Sequence, residues 1–198
     1  MSNKDLQTER MKGYFIEAAR EILKGEGVAA ASVRNIADRA GYSYATLYNY
    51  FSDVKDLIFV CVTDFQRECT DQVNQDTAGV QRGRETLRAM LHSYIRYFIQ
   101  YPGVFELFFL EKPSDISSNR TQMQQIYSFL DRLCEPEWQY CIDNHRIDTE
   151  IAGLLREQLN MSITGLLLFY LNRKQPERYD EFIRNATAQI DHLLEPVQ

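Results

Sequence analysis

The sequence predicts an all-α protein: a compact N-terminal three-helix head, joined by a fourth helix to a larger helical body. Three observations predict it. Apolar residues recur every three or four positions through nearly every segment, whereas no stretch alternates as a half-buried strand would. Glycine or proline interrupts that period at discrete places, as helix ends require. The 198 residues are 44% hydrophobic and 25% charged, so the chain has the balance of a globular protein. A chain of this length buries roughly 70% of the surface it exposes when unfolded, and its core needs no disulfide or metal.

The first helix is expected from about Thr8 to Lys24, with Phe15, Ala18, Ala19, Ile22 and Leu23 along one stripe and Gly25 and Gly27 stopping it. Ser32 can cap a short second helix whose inner face is Val33, Ile36 and Ala37, and Gly41 ends it. Ser43 can cap a third, Tyr44 to Tyr50. Ser52 or Asp53 can start a fourth, to about Gln66, carrying Leu57, Ile58, Cys61 and Phe65. Gln72 to Arg84 reads as a polar junction. Glu85 to Gln100 places Leu87, Met90, Leu91, Tyr94, Ile95 and Phe98 on one face. Tyr101, Pro102 and Gly103 break it before a short aromatic helix, Val104 to Leu110, and a polar loop, Glu111 to Ser118. Asn119 to Asn144 reads as a helix kinked at Pro136. Another helix runs from Asp148 or Thr149 to about Asn172, and the last from Pro176 to Leu194.

Several function classes fall away. No run of about 18 apolar residues offers a membrane span, and the N-terminus lacks the apolar core of a signal peptide, so a cytoplasmic location is expected. Cys61, Cys69, Cys134 and Cys141 form no Cys-x-x-Cys pair, and His92, His145 and His192 are scattered, so no metal and no cofactor is expected. No nucleophile elbow or phosphate-binding glycine loop occurs, which argues against an enzyme. A helical interaction module without DNA binding stays open as the alternative.

The net charge of −6 is unevenly spread. Residues 1–52 carry seven basic against six acidic side chains, so the excess acid lies in 53–198. For phosphate contact the local face counts, not the total. Ser32 to Phe51 reads SVRNIADRAGYSYATLYNYF, two short helices meeting at Gly41. The second has one clear aliphatic anchor, Leu47, and otherwise shows Ser, Tyr, Thr and Asn. Those groups suit phosphate oxygens and base edges. This is the recognition-helix position of a helix-turn-helix.

The stretch GYSYATLYNYFSDVKDL, with Phe15, Ala18, Ala19, Ile22 and Leu23 before Gly27 and then Ser32, Val33, Ile36 and Ala37, resembles the tetracycline-repressor (TetR) family over about residues 10–60. The resemblance implies a DNA-binding domain at 1–52 and a ligand-sensing, dimerising domain at 53–198. It implies that Ser32 caps the second helix and meets a phosphate, that Ser43, Tyr44 and Ala45 face bases, and that Thr46, Tyr48 and Tyr50 hold phosphates. Asn49 would reach either. Val54 stands where the family usually carries a lysine, and Lys55 is the nearest cation to replace it. The implied partners are double-stranded operator DNA, roughly palindromic, a small-molecule effector and a second copy of the chain. Repression is the implied outcome, and the fourth helix the lever between pocket and head.

The body supports these expectations from its own residues. Aromatic side chains concentrate between 98 and 140, and Phe105, Phe109, Tyr127 and Trp138 are the candidates to line a pocket for an apolar or aromatic effector. The last two helices are apolar over a wider arc than one packed face needs. Leu159, Ile163, Leu166 and Leu167 on one, with Ile183 and Ile190 on the other, are the candidates for a twofold helix-bundle contact.

Overall fold

In the structure, a computed structural model that describes residues 3–111 and 120–197, ten α-helices follow one another with no strand among the described residues. They are α1 (Asn3–Gly25), α2 (Val33–Ala40), α3 (Tyr44–Tyr48), α4 (Val54–Asp76), α5 (Arg84–Gln100), α6 (Pro102–Phe109), α7 (Arg120–Tyr127), α8 (Phe129–Asp143), α9 (Thr149–Arg173) and α10 (Tyr179–Leu193). One 3₁₀ turn, Val28–Ala30, follows α1. Among the described residues no helix is long and apolar enough to cross a membrane.

The chain forms two compact units, Met1–Arg67 with Tyr101–Tyr127, and Glu68–Gln100 with Ser128–Gln198. Residues 1–52, the expected DNA-binding part, lie wholly in the first, and α4 contributes to both. In the first unit Phe15, Ile22, Ile36, Leu47, Leu57 and Phe65 are fully buried. Helix α6 lies against the end of α1 there, and Lys24 sets its ammonium 4.2 Å from the Tyr101 ring centre. In the second unit Tyr94 meets Phe98 edge-on at 4.8 Å and Phe129 at 5.9 Å. Tyr170 stacks on Phe182 at 4.2 Å. Ion pairs brace the second unit: Arg88 with Asp191 at 2.5 Å, and Arg156 with Asp131 at 2.5 Å and with Glu135. The buried Glu137 takes bonds from Arg82 and from the Gly83 amide.

Element ends differ from the sequence expectations where tertiary contacts override composition. Helix α1 starts five residues before Thr8, whose hydroxyl bonds back to the Lys4 carbonyl at 3.0 Å. Helix α4 continues through the polar stretch beyond Gln66, because Val73 is fully buried and Asp76 accepts from Ser93 at 2.6 Å and Arg96 at 2.8 Å. The helix expected over 119–144 is interrupted at Ser128, and α8 runs through Pro136. Pro136 faces solvent while Leu133, Cys134, Glu137 and Trp138 on either side of it are buried, so packing holds the helix across the missing donor. Helix α6 starts at Pro102, which suits a first turn, and α10 at Tyr179 rather than Pro176. Apart from Glu111, the expected polar loop 111–118 lies outside the described residues. All four cysteines are free and buried, and burial pushes the Cys61 and Cys134 thiols up to about 12.

Candidate nucleic-acid interface

The geometry of the head follows from three local devices. Ser32 caps α2 by accepting the Asn35 amide at 3.2 Å, and the Asn35 side chain returns a bond to the Ala30 carbonyl at 3.0 Å. At the other end Gly41 sits in the left-handed region (φ 79°). The Tyr42 amide reaches the Ala37 carbonyl at 2.9 Å and the Gly41 amide that of Asp38 at 3.1 Å, the paired bonds of a Schellman stop. Ser43 then caps α3, accepting the Thr46 amide at 3.2 Å, and its hydroxyl shares a 2.9 Å bond with that of Thr46. Two residues therefore separate the left-handed glycine from the next helix start, which turns the chain sharply between α2 and α3.

What α3 shows to solvent is set by what it buries. Leu47 is fully buried and Phe51 nearly so. At about 100° per residue, Tyr44, Tyr48 and Ala45 lie about 60°, 100° and 160° round the helix from Leu47, along one flank. Tyr44 is 59% exposed and Tyr48 52%, and Ala45 and Asn49 are exposed too. The neighbouring tyrosines do other work. Tyr42 packs on Phe15 at 5.6 Å and on Tyr14 at 6.0 Å, and Tyr50 lies 6.1 Å from Phe15. Asp53 starts α4 by accepting the Lys55 amide at 3.1 Å, and Ser52 donates to Asp56 at 2.6 Å.

The expected DNA-contact residues are thus brought together on one unit. Ser32, Ser43, Tyr44, Ala45, Tyr48 and Asn49 are exposed, while Thr46, Tyr50 and Lys55 are half-buried. Arg39, in the last turn of α2, is held by Glu26 at 2.5 Å and Glu21 at 3.5 Å, and the Glu26 bond raises its pKa further. That engagement crosses 13 residues of sequence and had no local signal.

Residues 15–60, the segment that folds into this head, match the model for bacterial regulatory proteins of the tetR family. The head is similar to those of the tetR family. Beyond the head, the whole chain shares its fold with solved structures. It superposes on the transcriptional regulator FadR from Bacillus subtilis, solved with stearoyl-CoA, at a TM-score of 0.73 and 17% identity over 93% of this chain and 98% of that one. RolR, solved with resorcinol, gives 0.69 and 18% over 98% and 91%. A TetR family transcription regulator from Marinobacter aquaeolei VT8 gives 0.57 and 20% over 98% of each chain. The head thus matches the tetR-family model, and the whole chain has the fold of these solved structures.

The body residues singled out by sequence are placed less uniformly than those of the head. Phe105 is fully buried and its ring lies 5.1 Å from that of the half-buried Phe109. Tyr127, in the same unit, is 45% exposed. Trp138 belongs to the other unit, where it is buried beside a cavity of about 10 Å³ lined also by Leu91, Cys134 and Arg156, room for hardly more than one water. Of the expected dimer residues, Leu159, Ile163, Leu167 and Ile190 are buried in their own chain, and Leu166 and Ile183 are half-buried. The first four are thus core residues, because they share the inward arc of α9 and α10. The outward arc of α9 carries Ile151, Leu154, Met161 and Phe169, exposed by 46, 55, 75 and 57%. Met161 and Phe169 were not among the residues the sequence singled out, because the helix is apolar over a wide arc and spacing alone does not divide core from surface.

Proposed function

We propose that this protein is a ligand-responsive transcriptional repressor that binds a palindromic operator as a homodimer and is released by a small apolar or aromatic effector. The observation that carries the DNA-binding part is the outward face of α3, where Tyr44, Ala45 and Tyr48 stand exposed behind a Ser43 cap and a Gly41 turn. A helix held this way enters the major groove with its leading residues on base edges. Ser32, Tyr48, Tyr50 and Lys55 would meet phosphates around it. The chain acts by binding rather than catalysis, in the cytoplasm where the operator is.

The dimer reading rests on the outward stripe of α9. Ile151, Leu154, Met161 and Phe169 share it with Gly165, where an added Cβ would meet nothing within 4 Å, so a partner helix can approach closely. A helix with one apolar arc inside and a second outside needs a partner. The α9 and α10 helices of two copies would form the bundle, with Leu166 and Ile183 at its margin. Twofold symmetry would then match the two half-sites of a palindrome.

The effector is assigned to the aromatic surroundings of Phe105 and Phe109 on α6, with Tyr127 beside them in the same unit. That two proteins of this fold were solved with resorcinol and with stearoyl-CoA supports a small organic effector. Helix α4 is the lever: it starts beside Phe51 in the first unit and ends in the second. An effector that favours the DNA-incompetent arrangement needs a coupling of about 1–3 kcal/mol. The test is fluorescence anisotropy with labelled duplexes tiled across the DNA beside the protein's own gene, followed by titration of fractionated cell extract. Binding to one tile with release by one fraction is expected. Uniform weak binding to every tile would defeat the reading.

A further inference from the structure

We propose that Tyr44 and Ala45 read the 5-methyl groups of thymine, so that each operator half-site presents T·A pairs, not G·C pairs, to the first turn of α3. The assignment rests on the DNA-binding reading above and says which bases that surface accepts.

The chemistry of base reading leaves few choices. In the major groove guanine is recognised by arginine or lysine, adenine by asparagine or glutamine, and cytosine by a carboxylate, whereas thymine alone offers a methyl group to an apolar side chain. Between Arg39 and Lys55 the sequence has no lysine or arginine. Arg39 is turned back onto Glu26 and Glu21. Lys55 is half-buried in the first turn of α4, not on α3.

The hydroxyl groups of Ser43 and Thr46 at the leading end of α3 are engaged with each other at 2.9 Å, and Ser43 also accepts the Thr46 amide. Asn49 is exposed but lies at the far end of the helix, as its C-terminal cap. What remains at the leading end is the ring of Tyr44, 59% exposed, and the methyl of the exposed Ala45 beside it. Tyr42 and Tyr50, close in sequence, pack on Phe15, so the exposure of Tyr44 is not a general property of the tyrosines here. An exposed ring and a methyl together form an apolar patch at the place where a helix-turn-helix meets base edges. A thymine methyl is the base-edge group that buries against it with a gain.

The test uses the full-length protein and duplexes enriched by it from a randomised pool. In the best duplex each thymine of a half-site is replaced in turn by 2′-deoxyuridine, which removes only the methyl group. Deletion of a methyl beneath Tyr44 or Ala45 is expected to weaken binding about fourfold, the value of one buried methyl. Ala45→Gly is expected to abolish that sensitivity at one position and keep it at the others. Enriched duplexes with guanine or cytosine and no thymine under this turn, or full tolerance of deoxyuridine across the half-site, would overturn the assignment while leaving operator binding intact. Failure to enrich any sequence would instead overturn the DNA-binding reading itself, and the assignment with it.

Discussion

A Cβ atom on Gly103 would lie 2.3 Å from the carbonyl oxygen of Leu23, so the first turn of α6 rests on the end of α1 with no room for any side chain. The neighbouring Lys24 carbonyl, at 3.2 Å, closes the same space. Because the obstacle is backbone, Gly103→Ala must move one helix off the other. We expect it to destabilise the protein by about 1–3 kcal/mol, the usual cost of overpacking. Gly13, in the middle of α1, has nothing within 4 Å of an added Cβ. Gly13→Ala should therefore stabilise by about 0.5–1 kcal/mol through helix propensity alone. Urea denaturation of both variants checks the pair, and equal effects would refute the close approach.

Tyr48 is half exposed on α3, so Tyr48→Phe keeps its ring packing and removes only the hydroxyl. A bond from that hydroxyl to a phosphate is worth about 1.5–3 kcal/mol, and operator affinity should fall by at least about tenfold. The denaturation midpoint should not change. Unaltered affinity in anisotropy titrations would remove Tyr48 from the phosphate contacts.

The two arcs of α9 should respond differently to the same substitution. Met161 is 75% exposed and Leu167 fully buried. Met161→Glu is expected to leave a folded monomer by sedimentation and circular dichroism, with operator affinity lost because one head meets only one half-site. Leu167→Glu buries an unpaired carboxylate and should cost several kcal/mol, abolishing the fold. A wild-type protein that sediments as a monomer at micromolar concentration would sink the dimer reading.

The Ser93 hydroxyl and the Arg96 guanidinium favour the charged form of Asp76 and hold its carboxyl below the ordinary value. A native pKa below the unfolded one stabilises the fold at pH values above the unfolded pKa, about 3.9 for aspartate. That stabilisation is lost as pH falls through the native value. Asp191 behaves in the same sense, through Arg88. Asp76 is partly solvated, so Asp76→Asn should cost only about 1 kcal/mol at neutral pH after screening. The difference from wild type should vanish at the acid end of the range. Denaturation midpoints measured from pH 2 to pH 7 check it, and a gap that widens toward acid would reverse the sign.

The parts of the head legible in sequence are those whose causes are local. Ser32, Gly41 and Ser43 act through bonds spanning three to five residues, so the residue types alone place two helices and the turn between them. The exposure of Ala45 and Tyr48 follows once Leu47 is taken as the anchor, since helix geometry turns them away from it, whereas Tyr44, about 60° from Leu47, is exposed because no other helix covers it. Repeated apolar spacing likewise located α5, because its stripe is narrow.

The all-helical class, the order of the elements and the two capped helices of the head thus have causes that are local in the chain. How apolar residues divide between core and surface on a helix that carries them over a wide arc depends instead on packing between helices. Met161 and Ile163 are two residues apart and equally apolar, yet one is 75% exposed and the other fully buried. The same holds for partners distant in sequence. Arg39 is drawn away by Glu26, the end of α4 is kept helical by Ser93 and Arg96, and Pro136 is carried through α8 by the buried residues around it. Local propensity and periodicity act over one or two turns of chain, whereas the side of a helix that loses its water depends on which other helices reach it.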